Sequence, residues 1–177
     1  MLSQIISTLK TNGIVVIRTD TIYGIVACAT SKSAVEKLYQ VKQRAPDKPC
    51  IVLLADPNSV PAHSELIEFY NEASETPTSI IVPVSDEPDW ITRGGDSVAY
   101  RVVPPEGLLH DIIMAVGPLV APSANPENQP PARNIKEAES YFGKQVDLYI
   151  DGGEVPDTAH ASEIIRIHDN GDIEKIR

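Results

Sequence analysis

Short apolar runs alternate with polar breaks along this chain, and the runs fall into two periods. Ile14-Val15-Val16-Ile17 is continuous, β-branched and strand-length, the pattern of a buried strand. Cys50 to Leu54, Ser79 to Val84, Val98 to Val103 and Val146 to Ile150 predict further strands, and Leu119-Val120-Ala121 a short one. Helical spacing shows in Val35, Leu38, Tyr39 and Val41, behind Ser33 and Glu36 placed as in a capping box. Pro46 ends that helix at the latest. Ser64 to about Ala73, Leu108 to Val116 and Ile135 to Phe142 predict more helices, the last two closed by Gly117-Pro118 and Gly143. Ile164 to Ile167 and Ile173 to Ile176 flank Asp169-Asn170-Gly171, the signal of a hairpin. Interleaved strands and helices predict one α/β domain over residues 1–177, a twisted, mixed sheet with helices packed on it.

Composition narrows the class. A length of 177 residues suits one domain with a real core, and 42% apolar with 23% charged residues is ordinary for a globular chain. The 15 prolines are scattered and read as loop punctuation. No apolar run approaches the ~18 residues of a membrane span. Met1-Leu2-Ser3-Gln4 lacks the pattern of a secretory signal. Cys28 and Cys50 have no metal spacing and read as reduced core thiols, so the expected setting is cytoplasmic. The formal net charge of -10 repels phosphate backbones, which argues against a general nucleic-acid binder. A small anionic substrate stays open if the few cations converge in one cleft.

The familiar nucleotide and hydrolase signatures are missing. There is no G-x-x-x-x-G-K-[ST], no G-x-G-x-x-G, no H-E-x-x-H and no G-x-S-x-G. Four constellations remain. Lys42-Gln43-Arg44 leaves a predicted helix, and in an extended exit its two cations would share a side and clamp a polyphosphate. The bland alternative is a solvated helix end. Pro122-Ser123-Ala124-Asn125 and Thr19-Asp20-Thr21 each follow an apolar strand, where α/β sheets place ligands and where ordinary turns also occur. Arg101 interrupts an apolar strand and needs an anionic partner if buried, either a substrate carboxylate or an internal Asp or Glu.

Taken in order, these pieces resemble the YrdC-like threonylcarbamoyl-AMP synthase family. The stretches that carry the likeness are Arg18-Thr19-Asp20-Thr21-Ile22-Tyr23-Gly24, Lys42-Gln43-Arg44 with Asp47-Lys48-Pro49, Ser97 to Val102, Gly117 to Asn125, Val146 to Gly153 and Ser162. The resemblance implies a YrdC-like fold with a deep, concave, positively lined cavity. It also implies synthesis of threonylcarbamoyl-AMP from L-threonine, bicarbonate and ATP, with pyrophosphate released and Mg²⁺ accompanying the nucleotide, in service of tRNA threonylcarbamoyladenosine modification. By matching position, Thr21, Arg101, Ala121 and Ser162 would contact L-threonine, and Arg44, Lys48, Ser97, Ser123 and Arg177 would contact ATP. Lys42, Arg44, Ser123 and Asn125 would form the catalytic K-x-R and S-x-N pairs, with no protein-held metal. Partner proteins of the tRNA modification are implied too. So is double-stranded RNA or tRNA binding, which the net charge disfavours. The chain departs from the pattern at Leu53, for a usual His, and at Pro131-Ala132-Arg133, for an S-P-T. It departs again at Ser162-Glu163, and in stopping at Arg177 where relatives run on. These departures keep two alternatives in view: a divergent paralogue with different carbamoyl or nucleotide chemistry, and a duplex-RNA module.

Overall fold

The computed structural model describes residues 1–60, 76–168 and 172–177. Helices are α1 (Leu2–Lys10), α2 (Lys32–Lys42), α3 (Asp89–Thr92), α4 (Leu108–Val116) and α5 (Ile135–Phe142). Strands are β1 (Val15–Arg18), β2 (Tyr23–Cys28), β3 (Val52–Leu54), β4 (Thr78–Pro83), β5 (Ser97–Val102), β6 (Leu119–Val120), β7 (Leu148–Tyr149), β8 (Glu163–Ile167) and β9 (Ile173–Lys175). They join one mixed sheet in the order β7-β1-β2-β6-β3-β5-β4-β8-β9. The β1–β7, β3–β5 and β4–β8 pairs are parallel and the rest antiparallel.

The α/β architecture expected from the apolar pattern is the one observed. The expected helix from Ser64 to Ala73 and the Asp169-Asn170-Gly171 turn lie outside the described residues, although β8 and β9 pair as the hairpin requires. Three elements went unpredicted. α1 carries Ile5 and Leu9 on one buried stripe. β2 follows the polar Thr19-Asp20-Thr21 segment and is buried at every position, Gly24 included. α3 is a single turn. The capping of α2 shifts as well: Ser31, not Ser33, accepts the Ala34 amide at 3.2 Å.

Strand alternation divides the core between the two sheet faces. On one face Val16, Ile25, Val52, Ile80, Val98 and Ile165 pack with Leu38 of α2 and Phe142 of α5. On the other, Val15, Ile17, Val26, Leu53 and Leu119 pack with Ile5 and Leu9 of α1 and Ile112 of α4. On that second side α1 reaches β1 and β2, and α4 reaches β3. The rest of that face, on β5, β4 and β8, floors a cavity through Ser97, Ala99, Arg101, Ile81, Ile164 and Arg166. Cys28 and Cys50 are both buried and free. Among the described residues no helix is long and apolar enough to cross a membrane.

Candidate functional site

The cavity has a volume of about 410 Å³, within the range of small-molecule sites. Three loops rim the sheet floor. The β1–β2 turn places Thr21, whose hydroxyl lies 3.0 Å from that of Thr19, while Thr19 Oγ1 also donates to the Ile22 carbonyl at 2.7 Å. The loop after β6 places Ser123 opposite Gly24 in an isolated antiparallel bridge. The amides of Ile25 and Ala124 bond the Pro122 and Tyr23 carbonyls at 3.0 and 2.8 Å, which locks that loop against β2. Gly24 eases this approach: a Cβ there would sit 3.2 Å from the Thr19 methyl, a tight contact, and 3.4 Å from the Pro122 carbonyl oxygen. The loop after α2 places Arg44.

Of the sequence-predicted residues, Thr21, Arg44, Ser97, Arg101, Ala121, Ser123, Ser162 and Arg177 all line this one cavity. Lys42, Lys48 and Asn125 do not. The expectation that Lys42 and Arg44 offer two cations side by side to a ligand is corrected by the helix end. Lys42 is still helical, Gln43 turns left-handed at φ 52°, and the two side chains part. Lys42 points into the protein, is 2% exposed, and its Nζ donates to the Ser123 and Asn125 carbonyls at 2.5 Å each. Burial chiefly, and then the Arg44 charge, lowers its pKa from 10.5 to about 8. Its own carbonyl accepts the Glu127 amide at 3.0 Å. Lys42 is therefore the post behind the Ser123–Asn125 loop, with no exposed face toward the cavity.

Lys48 reaches away to Glu127 at 2.5 Å with its side chain 58% exposed, and Glu127 also accepts the Ala45 amide at 2.8 Å. That ties the loop of Arg44 to the loop of Asn125. The Lys48 hydrogen bond is the main reason the Glu127 carboxyl is held below its ordinary value. Asn125 is buried, and its amide donates to the Pro126 and Gln129 carbonyls at 2.9 and 2.7 Å. It shapes its own turn.

The cavity's arginines are preorganised. Arg44 Nε and Nη2 donate to the Lys48 and Pro49 carbonyls at 3.0 and 2.9 Å. Arg101 is 4% exposed and pairs with Asp20 at 2.8 Å, so the internal carboxylate foreseen as one alternative is present while the guanidinium still lines the cavity. Arg177 Nε and Nη2 donate to the Ser162 carbonyl at 3.2 and 2.9 Å, and burial lowers its pKa. Ser162 itself is buried, with Oγ 2.9 Å from Ser79 Oγ. No acidic residue lines the cavity among the described residues, while Arg44, Arg101, Arg166 and Arg177 do, which gives a basic site to a chain of net charge -10. Leu53, where the family carries a His, is fully buried in the core, and Pro131 lines the cavity without the hydroxyl of the S-P-T pattern.

Sequence reasoning missed Asp20 as the orienter of Arg101, and missed Arg166. Alternation along Ser162, Ile164 and Arg166 would have put all three on one strand face.

Comparison with known proteins agrees with this geometry. The sequence model of the Sua5/YciO/YrdC family, described as telomere recombination, matches residues 7–177. The threonylcarbamoyl-AMP synthase of Pseudomonas fluorescens Pf-5 is 30% identical over 153 residues, 81% of this chain and 80% of that protein. The threonylcarbamoyl-AMP synthase of Pyrococcus abyssi is 33% identical over 147 residues, 77% of this chain and 42% of that protein. Two structures of P. abyssi Sua5, a double variant and a complex with L-threonine, superpose with TM-scores of 0.88 and 0.89 at 26% and 24% identity. Each covers 99% of this chain, and the chain spans 55% and 53% of theirs, about half the length of that protein. The fold, the cavity and the sequence match meet in one statement: this chain belongs to the Sua5/YciO/YrdC family.

Proposed function

We propose that this protein is a threonylcarbamoyl-AMP synthase, serving tRNA threonylcarbamoyladenosine formation. One observation carries the reading. Residues matched to threonine contacts (Thr21, Arg101, Ala121, Ser162) and to ATP contacts (Arg44, Ser97, Ser123, Arg177) line a single cavity. The threonine amine attacks bicarbonate and, with loss of water, gives a carbamate. A carbamate oxygen then attacks the α-phosphorus of ATP, the bond to the bridging oxygen breaks, and pyrophosphate leaves with the electron pair.

Such a displacement needs placement and charge neutralisation, not a protein nucleophile. Arg101 takes the threonine carboxylate, since its guanidinium is already fixed by Asp20 at the cavity floor. Arg44 and Arg177 take phosphoryl oxygens, and Ser123 offers a hydroxyl. Lys42 contributes by holding the Ser123 loop and touches no substrate. Mg²⁺ enters this reading as the counter-ion that ATP brings. The cavity lining offers it no carboxylate, and Mg²⁺ is commonly bound through substrate phosphates. A cytoplasmic setting fits the two free thiols, and proteins that carry the product to tRNA complete the picture.

The test is direct. Purified protein is incubated with ATP, L-threonine and bicarbonate, and pyrophosphate and threonylcarbamoyl-AMP are measured. Product that requires all three substrates supports the reading. ATP turnover independent of threonine, or no product, sinks it.

A further inference from the structure

Two of the hydroxyls that line the cavity are not free to turn. Thr21 and Ser162 each stand beside a second hydroxyl, 3.0 Å from that of Thr19 and 2.9 Å from that of Ser79. Ser97 and Ser123 also line the cavity, and their hydroxyls make no hydrogen bond among the described residues. A hydroxyl has one proton and two lone pairs, so the surroundings of each pair decide which oxygen gives and which takes.

The Thr19 proton goes to the Ile22 carbonyl at 2.7 Å, since a carbonyl only accepts. Thr19 Oγ1 also takes the Thr21 amide at 3.2 Å. The remaining contact is therefore a donation from the Thr21 hydroxyl, and Thr21 turns lone pairs to the cavity. At the other pair the direction reverses. Ser79 is fully buried, and Ser162 Oγ is its one side-chain partner among the described residues. Were Ser162 the donor, the Ser79 proton would be left without an acceptor where no water reaches, the costlier arrangement. Ser79 therefore donates, and the Ser162 proton is the one turned to the cavity. The pair meets because Ser79 is level with Ile164 on the parallel neighbour β8, two residues from Ser162 on the same face. Arg177 holds the Ser162 carbonyl, and the Glu163 amide donates to the Pro77 carbonyl at 2.9 Å, which fixes the Ser162 backbone.

We infer that Thr19 and Ser79 are positioning residues that set two cavity hydroxyls to opposite polarity, Thr21 as acceptor of a substrate N–H and Ser162 as donor to a substrate oxygen. The inference rests on the synthase reading for the ligand, an α-amino acid. Such a ligand brings an N–H donor beside the carboxylate that Arg101 takes. An acceptor at Thr21 holds the amine by its N–H and leaves the nitrogen lone pair for bicarbonate. A donor there would compete for that lone pair. Thr19 and Ser79 both act through the neighbouring hydroxyl.

Binding of L-threonine, Mg-ATP and (R)-3-hydroxybutyrate, which keeps the oxygens of threonine and lacks its nitrogen, is measured by calorimetry for wild type, Thr19→Val, Ser79→Ala and Ser79→Cys. Thr19→Val weakens threonine about tenfold and leaves hydroxybutyrate within about twofold. Ser79→Ala weakens both about tenfold, and Ser79→Cys, which keeps the volume with a weaker donor, weakens both by less. Mg-ATP stays within about twofold in every variant, and Ser79→Ala adds nothing further in a Ser162→Ala background. Should Ser79→Ala not fold, Ser79→Cys carries the same reading. The inference is overturned if wild type binds no threonine, or binds threonine and no hydroxybutyrate. It is overturned if Thr19→Val weakens the two ligands equally or not at all, if the Ser79 variants spare them, or if losses at Ser79 and Ser162 add in full. A parallel loss of Mg-ATP also overturns it, marking the residue as structural. The expected threonine pattern in a protein that makes no threonylcarbamoyl-AMP removes the synthase and leaves this inference. Product formation while the variants bind threonine normally does the reverse.

Discussion

Replacing Lys42 with Met separates the bracing role found here from a role in the cavity. The change keeps length and apolar stem but removes the donors that reach the Ser123 and Asn125 carbonyls. Leaving a buried acceptor unpaired costs about 1–3 kcal/mol, so two cost about 2–6. Against this stands the burial of the charge. A pKa lowered from 10.5 to about 8 penalises the charged form by about 3 kcal/mol in the folded state. The net cost at pH 7 is then about -1 to +3 kcal/mol, centred on a loss of about 1. The pH dependence is the sharper signature. Between pH 8 and 10.5 the unfolded chain holds the Lys42 proton and the folded chain has shed it, so this group makes wild type more stable as pH rises. Integrated from pH 7 to 9.5, that gain is about 2 kcal/mol. Lys42→Met lacks it, and most other titrations are common to both proteins and cancel in the difference. Urea unfolding of the pair at pH 7 and pH 9.5 reads it. A stability gap that stays flat or shrinks as pH rises would refute the buried, charged lysine. A variant stable within about 0.5 kcal/mol at both pH values would refute the brace itself.

Other outcomes follow from geometry already given. Arg101→Lys keeps the charge and loses the fork, so the threonine KM should rise roughly tenfold or more while the ATP KM stays within about threefold; equal rises would assign Arg101 to structure through Asp20. Gly152→Ala places a Cβ 2.6 Å from Arg18 Cβ. It should cost about 1–3 kcal/mol in thermal or urea unfolding and leave the KM values of the folded fraction unchanged; an unperturbed melting temperature would show that the contact with Arg18 yields freely. Tyr39→Phe removes a hydroxyl that donates to the Lys48 carbonyl at 2.7 Å, and should cost about 1 kcal/mol in the same assay; no change would mean that the Arg44 loop is held by Arg44 and Glu127 alone.

Much of this molecule was legible in its apolar pattern because most strands are buried on one or both faces. Ile14 to Ile17 and Val98 to Val103 announce themselves as runs. β2 was hidden by Gly24, which lies within the strand and gives room to the Thr19 methyl instead of making a turn. Thr21, Ser123 and Arg101 could be singled out because polar residues at strand ends, or a cation within a strand, are conspicuous. Their convergence could not be derived from spacing, since it depends on β3, β5 and β8 being placed by pairings distant in sequence. Lys42 misled because a lysine at a helix end is usually solvated. Only the left-handed turn at Gln43 and the inward carbonyls of Ser123 and Asn125 give it a buried destination. Arg166 was passed over as hairpin residue, because the face it occupies matters only once β8 lies beside β4.

The strand order has a kinetic consequence. The cavity floor joins β5, β4 and β8, and its rim joins turns that follow β1, α2 and β6, so no single element or loop supplies the site. Topologies dominated by such distant pairings close large loops before gaining contacts, and they fold slowly. Affinity for substrate should therefore arrive late in refolding, in step with the last pairing of β8 on β4, and no partly folded species should bind. A ligand spanning the cavity then ties the first third of the chain to its last strands. Its stabilisation would be felt by the whole sheet as one cooperative unit, not by a single loop.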